Sequence, residues 1–329
     1  PEPERPGRTA ALITLGDAYA SLGQMGAAFE ARSEALATAR ASGDALILLM
    51  ANLRLAEILR QQGKLQQVIE LCERQWKIAV DSGMSEWAIV GWLLGIWGEA
   101  LAELNDLDRA VDQAKKGAER TARGGDVLYE VMCNLCLVRV LFSSADISGA
   151  KDVIQSMENA AREYDVPHWA LSQLSAWRVR IWLIQDELQA ASHWVREHGL
   201  DPDGELEYLH EVEHIAFARF LIARGQLGDA IRLLQRLLEA ARAGDRTSRA
   251  IEMLLLLAVA FQAGGELTQS VAALELALTL AVSGGFVCTF VDEGPSIARL
   301  LYRAATRSLA GHGRIAQYAR RILAAFPLT

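Results

Sequence analysis

The chain has 329 residues, 51% of them apolar and 22% charged, with a formal net charge of −8. That apolar fraction excludes global disorder, and a single core rarely grows this large, so several domains or an extended repeat array is expected. The acidic balance argues against this segment gripping a nucleic-acid backbone by itself, and the densest apolar runs, such as LLLLAVAF at 254–261, are too brief to span a bilayer.

The first stretch, PEPERPGR, holds three of the seven prolines and no apolar secretory core, so residues 1–7 read as a linker or a cut end. From Gly7 to Val166 there is no proline, and Ala, Leu, Glu, Gln and Arg dominate. No period-two segment is sustained, so the chain reads as all-α. Four cysteines in a chain this long are not a secreted disulfide framework. A reducing cytoplasm is therefore the expected compartment.

One short pattern then recurs: GQMGAA (23–28), GKLQQV (63–68), NDLDRA (105–110), ADISGA (145–150), DELQAA (186–191), GQLGDA (225–230) and GELTQS (265–270). Its aliphatic residues are Met25, Leu65, Leu107, Ile147, Leu188, Leu227 and Leu267, at successive spacings of 40, 42, 40, 41, 39 and 40. Each unit reads as helix A, a tight turn at this motif, helix B and a looser, glycine-bearing turn. The small residues Ala28, Ala110, Ala150, Ala191 and Ala230 let helix B lie close against helix A. In the first unit Leu15, Gly16, Tyr19, Ala28 and Ala35 fall at signature spacings that resemble the tetratricopeptide repeat. That resemblance implies a right-handed superhelix of about seven antiparallel helix pairs over residues 8–285, each pair burying its faces against its neighbours.

In the third unit AIVGWLLGIWGEALAEL (88–104) is apolar nearly all round, as a helix sandwiched between neighbours should be. Trp92 falls on the groove side and Trp97 in the core. In the fourth, Cys133 and Cys136 form a lone C-x-x-C with no further ligands in view, and read as buried thiols between helices. In the fifth and its flank, Trp177, Trp182 and Trp194 read as packing between helices.

The sixth unit opens with HEVEH, His210 to His214, the literal zinc-peptidase pattern. The same slots hold Glu130 and Asn134 in the fourth unit and Leu171 and Ser175 in the fifth, so the position varies freely and reads as polar helix surface. Zinc hydrolysis remains the remote alternative, and otherwise neither an enzyme nor a cofactor is expected. No phosphate loop or nucleophile elbow is present.

Helix A should line the concave face. The residue just after the Gly16-equivalent is Asp17, Glu57, Glu99, Arg139, Arg180, Arg219 and Val259 in successive units. The candidate ligand-binding residues are therefore Glu57, Trp92, Glu99, Arg139, Arg180 and Arg219. They form either a groove with an acidic and a basic half or a ladder of internal ion pairs. As a polarised groove, its arginines could fork onto carboxylates or phosphates, and Arg139→Ala or Arg180→Ala should weaken an anionic ligand with little change in melting temperature.

After the seventh unit the pattern changes to GGFVCTFVDEGPSIARLLYRAATR (284–307) and YARRILAAF (318–326). Residues 286–329 read as a connector and capping helices, one opening at Gly294-Pro295 and one from about Arg314 to Phe326. This wording resembles the end of the sensor segment in large ATP-dependent LuxR-type, MalT-like transcription regulators; Cys288 stands where that family often has arginine. The resemblance implies a fragment of a regulator whose ATPase and DNA-binding domains lie outside this chain. Its superhelix would bind a small-molecule inducer or a regulatory protein or peptide, with no direct nucleic-acid or membrane contact and with self-association possible in the full-length protein. The alternative is a peptide-binding scaffold without a small-molecule effector.

Overall fold

The computed structural model describes residues 7–307 and 313–327, so the expected linker lies, but for Gly7, outside the described residues. Their regular secondary structure is all helical, with no strand among the described residues. Seven pairs follow one another: α1 (Gly7–Ser21) and α2 (Met25–Ser42), α3 (Ala45–Gln61) and α4 (Leu65–Asp81), α5 (Ala88–Glu103) and α6 (Leu107–Gly124), α7 (Val127–Ser143) and α8 (Ile147–Glu163). Then come α9 (His168–Ile184) and α10 (Leu188–Glu197), α11 (Glu211–Ala223) and α12 (Leu227–Ala243), and α13 (Thr247–Ala263) and α14 (Leu267–Ala281). A four-residue helix, α15 (Cys288–Val291), precedes α16 (Pro295–Arg307) and α17 (Arg314–Ala324), which pack on the last pair.

The turn motif has a stereochemical basis. Its first residue takes a left-handed conformation in every unit: Gly23, Gly63, Asn105, Ala145, Asp186, Gly225 and Gly265. The next amide then donates to the carbonyl five residues back, as Lys64 does to Leu59 at 2.8 Å and Asp106 to Leu101 at 3.0 Å, which caps helix A. The aliphatic residue opens helix B. Three residues later Ala28, Val68, Ala110, Ala150, Ala191, Ala230 and Ser270 are fully buried, where only a modest side chain fits between the helices.

Helix α5 meets α3, α4, α6 and α7, and 14 of its residues are buried, which explains its lack of a polar face. The fifth unit departs from the rest: α10 stops at Glu197, and residues 198–207, with Pro202, run irregularly to a 3₁₀ turn at Tyr208–His210.

The array winds tightly enough for its second turn to rest on its first. Met25 N donates to Gly244 O at 3.1 Å, and Arg246 Nη1 to Gly23 O at 2.9 Å. Ser248 Oγ donates to Arg60 O at 2.5 Å. Val287 N donates to Glu103 O at 2.7 Å. Leu65, at the start of α4, accordingly joins the core of the later units rather than that of its own. The turns of the first three units therefore touch the sixth and seventh units and the segment that follows.

Candidate functional site

Closure of the superhelix turns its concave face into a cavity of about 580 Å3, lined from α1, α3, α5, α7, α9, α11 and α13. Asp17, Glu57, Glu99, Arg139, Arg180 and Arg219 all line it, as does Trp92; Val259, on the seventh unit, does not. Each of these charged residues sits one helical repeat from its neighbour because each occupies the same slot of helix A.

Every one of them is already paired. At the acidic end, Arg32 from α2 reaches in, its side chain 3% exposed, and donates to Asp17 Oδ1 at 2.7 Å and to Arg54 O at 2.5 Å. Arg54 lies 3.4 Å from Glu57 and stands over the Trp92 ring at 5.1 Å, while Tyr129 stacks on the same ring at 6.0 Å. Arg60 holds Glu99 at 2.8 Å.

At the arginine end the partners come from elsewhere in the chain. Arg139 pairs with Glu103 and with Asp292, the latter at 2.5 Å. Arg180 pairs with Glu293 at 3.0 Å. Arg219 binds Glu293 through two nitrogens and also Glu252 at 2.9 Å. Arg249 and Arg246 continue the network to Glu252 and Glu211. The two charged halves read from the slot pattern are thus each neutralised locally. In and behind the wall, eight arginines (32, 54, 60, 139, 180, 219, 246 and 249) meet eight carboxylates (17, 57, 99, 103, 211, 252, 292 and 293).

Burial and charge compete at these groups. Burial raises the Glu252 carboxyl, but Arg249, Arg219 and Arg180 together outweigh it and hold the group well below the usual carboxylate range. Glu293 is lowered in the same way, burial being outweighed by Arg219 and Arg180. At Asp292 burial wins over Arg139 and the carboxyl is raised. Arg180 is lowered, first by burial and then by neighbouring Arg219.

The aromatic lining differs from the sequence expectation. Trp97 is in the core as expected. Trp177, expected to serve packing, also lines the cavity; it packs on Phe142 at 5.3 Å, and Arg180 lies over both rings. Trp169 and Tyr208 line it too. Spacing within helix A misses Tyr208 because it belongs to the irregular segment before α11.

The HEVEH residues are not the polar helix surface expected of them: Glu211, Glu213 and His214 are buried, and Glu211 pairs with Arg246 at 2.7 Å. His210 closes the 3₁₀ turn, with Nδ1 2.6 Å from Glu213 Oε2, and His214 Nδ1 lies 2.9 Å from the His210 carbonyl. Among the described residues no group of three or more His, Cys, Asp or Glu is disposed to hold a metal. Cys133 and Cys136 are buried free thiols. Among the described residues, no helix is long and apolar enough to cross a membrane.

The chain is similar to the crystal structure titled the apo form of RapI, at 12% identity over 85% of each chain, with a TM-score of 0.43. A family model described as the MalT-like TPR region matches residues 1–307, more than nine-tenths of the sequence. With its seven stacked hairpins and the tail that closes on them, the chain belongs to the family of MalT-like TPR regions.

Proposed function

We propose that this domain is the effector-sensing and protein-interaction part of a LuxR-family ATP-dependent transcription regulator, working in the cytoplasm. A small-molecule inducer would enter the central cavity and bias the regulator between a resting and an assembling state. The family supports a regulatory, ligand- or partner-binding role, and the tail wording supports the LuxR assignment. The observation that carries the cavity reading is its lining: every unit contributes, so one bound molecule would touch helices that otherwise meet only through their neighbours. A ligand binding across them stabilises one winding of the superhelix by its differential affinity for that winding.

The chemistry of the wall fits a compact polar ligand. Trp169 and Trp177 supply apolar surface, Trp92 backs the wall behind Arg54, and the arginines and carboxylates supply orienting donors and acceptors. An extended peptide, the alternative occupant, suits a long open groove, whereas here α13 meets α3 where the second turn of the superhelix rests on the first. Contacts with DNA are left to other parts of the regulator, and its self-association would be read out there.

The test is a thermal-shift screen of sugars, nucleotides, amino acids and short peptides, followed by calorimetry on wild type and Trp92→Ala. A small molecule that binds wild type with one-to-one stoichiometry and is weakened at least tenfold by Trp92→Ala supports the reading. Hits confined to peptides and insensitive to Trp92 would transfer it to the scaffold alternative.

A further inference from the structure

Three consecutive inner helices, α7, α9 and α11, each contribute one arginine to a single row, and the row is filled by two adjacent carboxylates of the tail. Glu293 Oε2 accepts from Arg219 Nη1 at 2.5 Å, and its Oε1 accepts from Arg219 Nη2 at 2.7 Å and from Arg180 Nη2 at 3.0 Å. Asp292 Oδ2 accepts from Arg139 Nη1 at 2.5 Å and from Ser143 Oγ at 2.9 Å. Both carboxylate side chains are 5% exposed. A planar fork on one carboxylate, with a second arginine sharing an oxygen, is the way proteins hold a bound carboxylate.

The occupant belongs to none of the seven hairpins. Asp292 and Glu293 lie just beyond α15, and Gly294 with a left-handed backbone follows them into α16. Beyond these carboxylates, the segment is held by the buried side chains of Phe286, Val287, Cys288 and Phe290, by Cys288 Sγ 3.5 Å from Asn105 Oδ1, and by hydrogen bonds to Glu103. Glu103 accepts from the amides of Val287 and Thr289 and from the Thr289 hydroxyl.

We infer that Arg139, Arg180 and Arg219 form a binding site for a small dicarboxylate, a site that the chain's own Asp292 and Glu293 occupy. The charge requirement follows from the network. Eight arginines face eight carboxylates with the tail in place; without Asp292 and Glu293 six carboxylates remain, and two positive charges are left uncompensated. A replacement must therefore bring two negative charges, and a neutral molecule of the same shape would leave buried arginines unpaired. Arg180 is the most exposed to this exchange, because Glu293 is its salt-bridge partner among the described residues. Arg139 and Arg219 keep Glu103 and Glu252 in either state. The site forms one wall of the proposed effector cavity and takes its biological meaning from that reading. It adds a ligand class and a consequence: a dicarboxylate seated on the row displaces the Asp292 and Glu293 carboxylates from the arginines of the cavity wall.

The experiment uses an Asp292→Ala/Glu293→Ala variant with glutarate as probe, and glutaramide at matched ionic strength as its uncharged counterpart. The variant is expected to melt below wild type and to be restabilised saturably by glutarate, with at least tenfold tighter binding than wild type and no response to glutaramide. Adding Arg219→Ala should abolish the rescue. A variant indifferent to glutarate, or equally stabilised by glutaramide, overturns the inference. If the alanine pair does not fold, hydrogen exchange on wild type carries the test. Saturating glutarate should speed exchange of the Val287 and Thr289 amides, and unchanged exchange counts against the site. The two readings fail separately. A glutarate-blind arginine row leaves the effector screen untouched, whereas a blank effector screen beside glutarate rescue leaves the site and removes its proposed role.

Discussion

Arg219 holds Glu293 through both terminal nitrogens, at 2.5 and 2.7 Å, although 74 residues separate the two. Slot spacing alone leaves arginines such as this free in a groove, where removal would spare the melting temperature. Their buried partners reverse that expectation. Arg219→Ala leaves Glu293 and Glu252 short of a cation in a desolvated wall, and breaking such a pair costs about 3–5 kcal/mol. Urea denaturation should show this loss. Because the residues act through one another, the Arg219→Ala/Glu293→Ala double variant should lose clearly less than the sum of the single losses. Additive losses would mean that the pair contributes nothing as a pair.

Ala145 adopts φ 61° at a turn where four other units use glycine. A side chain in that region costs roughly 1–2 kcal/mol, while glycine's extra freedom in the unfolded chain costs about 0.4–1 kcal/mol. The strain term is the larger, so Ala145→Gly should stabilise the fold by about 0.5–1 kcal/mol. The converse change, Gly63→Ala, should destabilise it, since the new methyl would also lie 3.3 Å from Phe286 and Thr247. A lower urea midpoint for Ala145→Gly would contradict the stereochemical account of the motif.

The same motif shows what was legible in the sequence. Left-handed capping needs a residue of low steric cost at one position and a small one five residues on, so the units announce themselves every forty residues or so. Helix A periodicity then placed Glu57, Trp92, Glu99, Arg139, Arg180 and Arg219 on one surface. Their partners were not legible. Asp292 reaches Arg139 across 153 residues, and Arg246 reaches Gly23 across 223. Those contacts depend on the pitch of the superhelix, which sums small rotations between units and leaves no local pattern. The acidic pair in FVDEG is visible as such, but only the winding brings it to the arginine row.

Acidification should loosen this wall. Glu252 and Glu293 are held below the ordinary glutamate value of about 4.3, so their contribution to stability is full above that pH. It is lost as pH falls from there through their folded values. Asp292 has the opposite sign: its carboxyl is raised, so protonation on the way down returns some stability. Two lowered groups against one raised group give a net fall below about pH 4. Glu252→Gln should flatten the stability–pH curve in that range when urea midpoints are measured from pH 6 to pH 2.5. Parallel curves for variant and wild type would remove Glu252 from the account.

The four cysteines should be silent in the native protein. All are buried, and burial raises the Cys133 and Cys288 thiols to about 12. Almost no thiolate is then present at pH 8, and the sulfur atoms are out of reach of a reagent. Ellman's reagent is expected to modify none of them within minutes, and all four once the protein is unfolded in guanidinium. Rapid native labelling of Cys133 and Cys136 would reopen a redox or metal role for that pair.

The tight winding is itself testable, because it rests on backbone touching backbone. A methyl on Gly244 would lie 2.3 Å from the Gly23 carbonyl oxygen, and one on Gly284 would lie 2.3 Å from that of Gly63. Neither oxygen can swing aside as a side chain would, so Gly244→Ala/Gly284→Ala should prise the second turn of the superhelix from the first. The contacts within each hairpin are untouched, and helix content by circular dichroism should stay near wild type. The radius of gyration from small-angle scattering should rise, and ligand binding in the cavity should be lost, since α13 no longer stands opposite α3. A double variant with unchanged scattering and full ligand affinity would show that closure is not what builds the cavity, and would return the concave face to an open groove suited to a peptide.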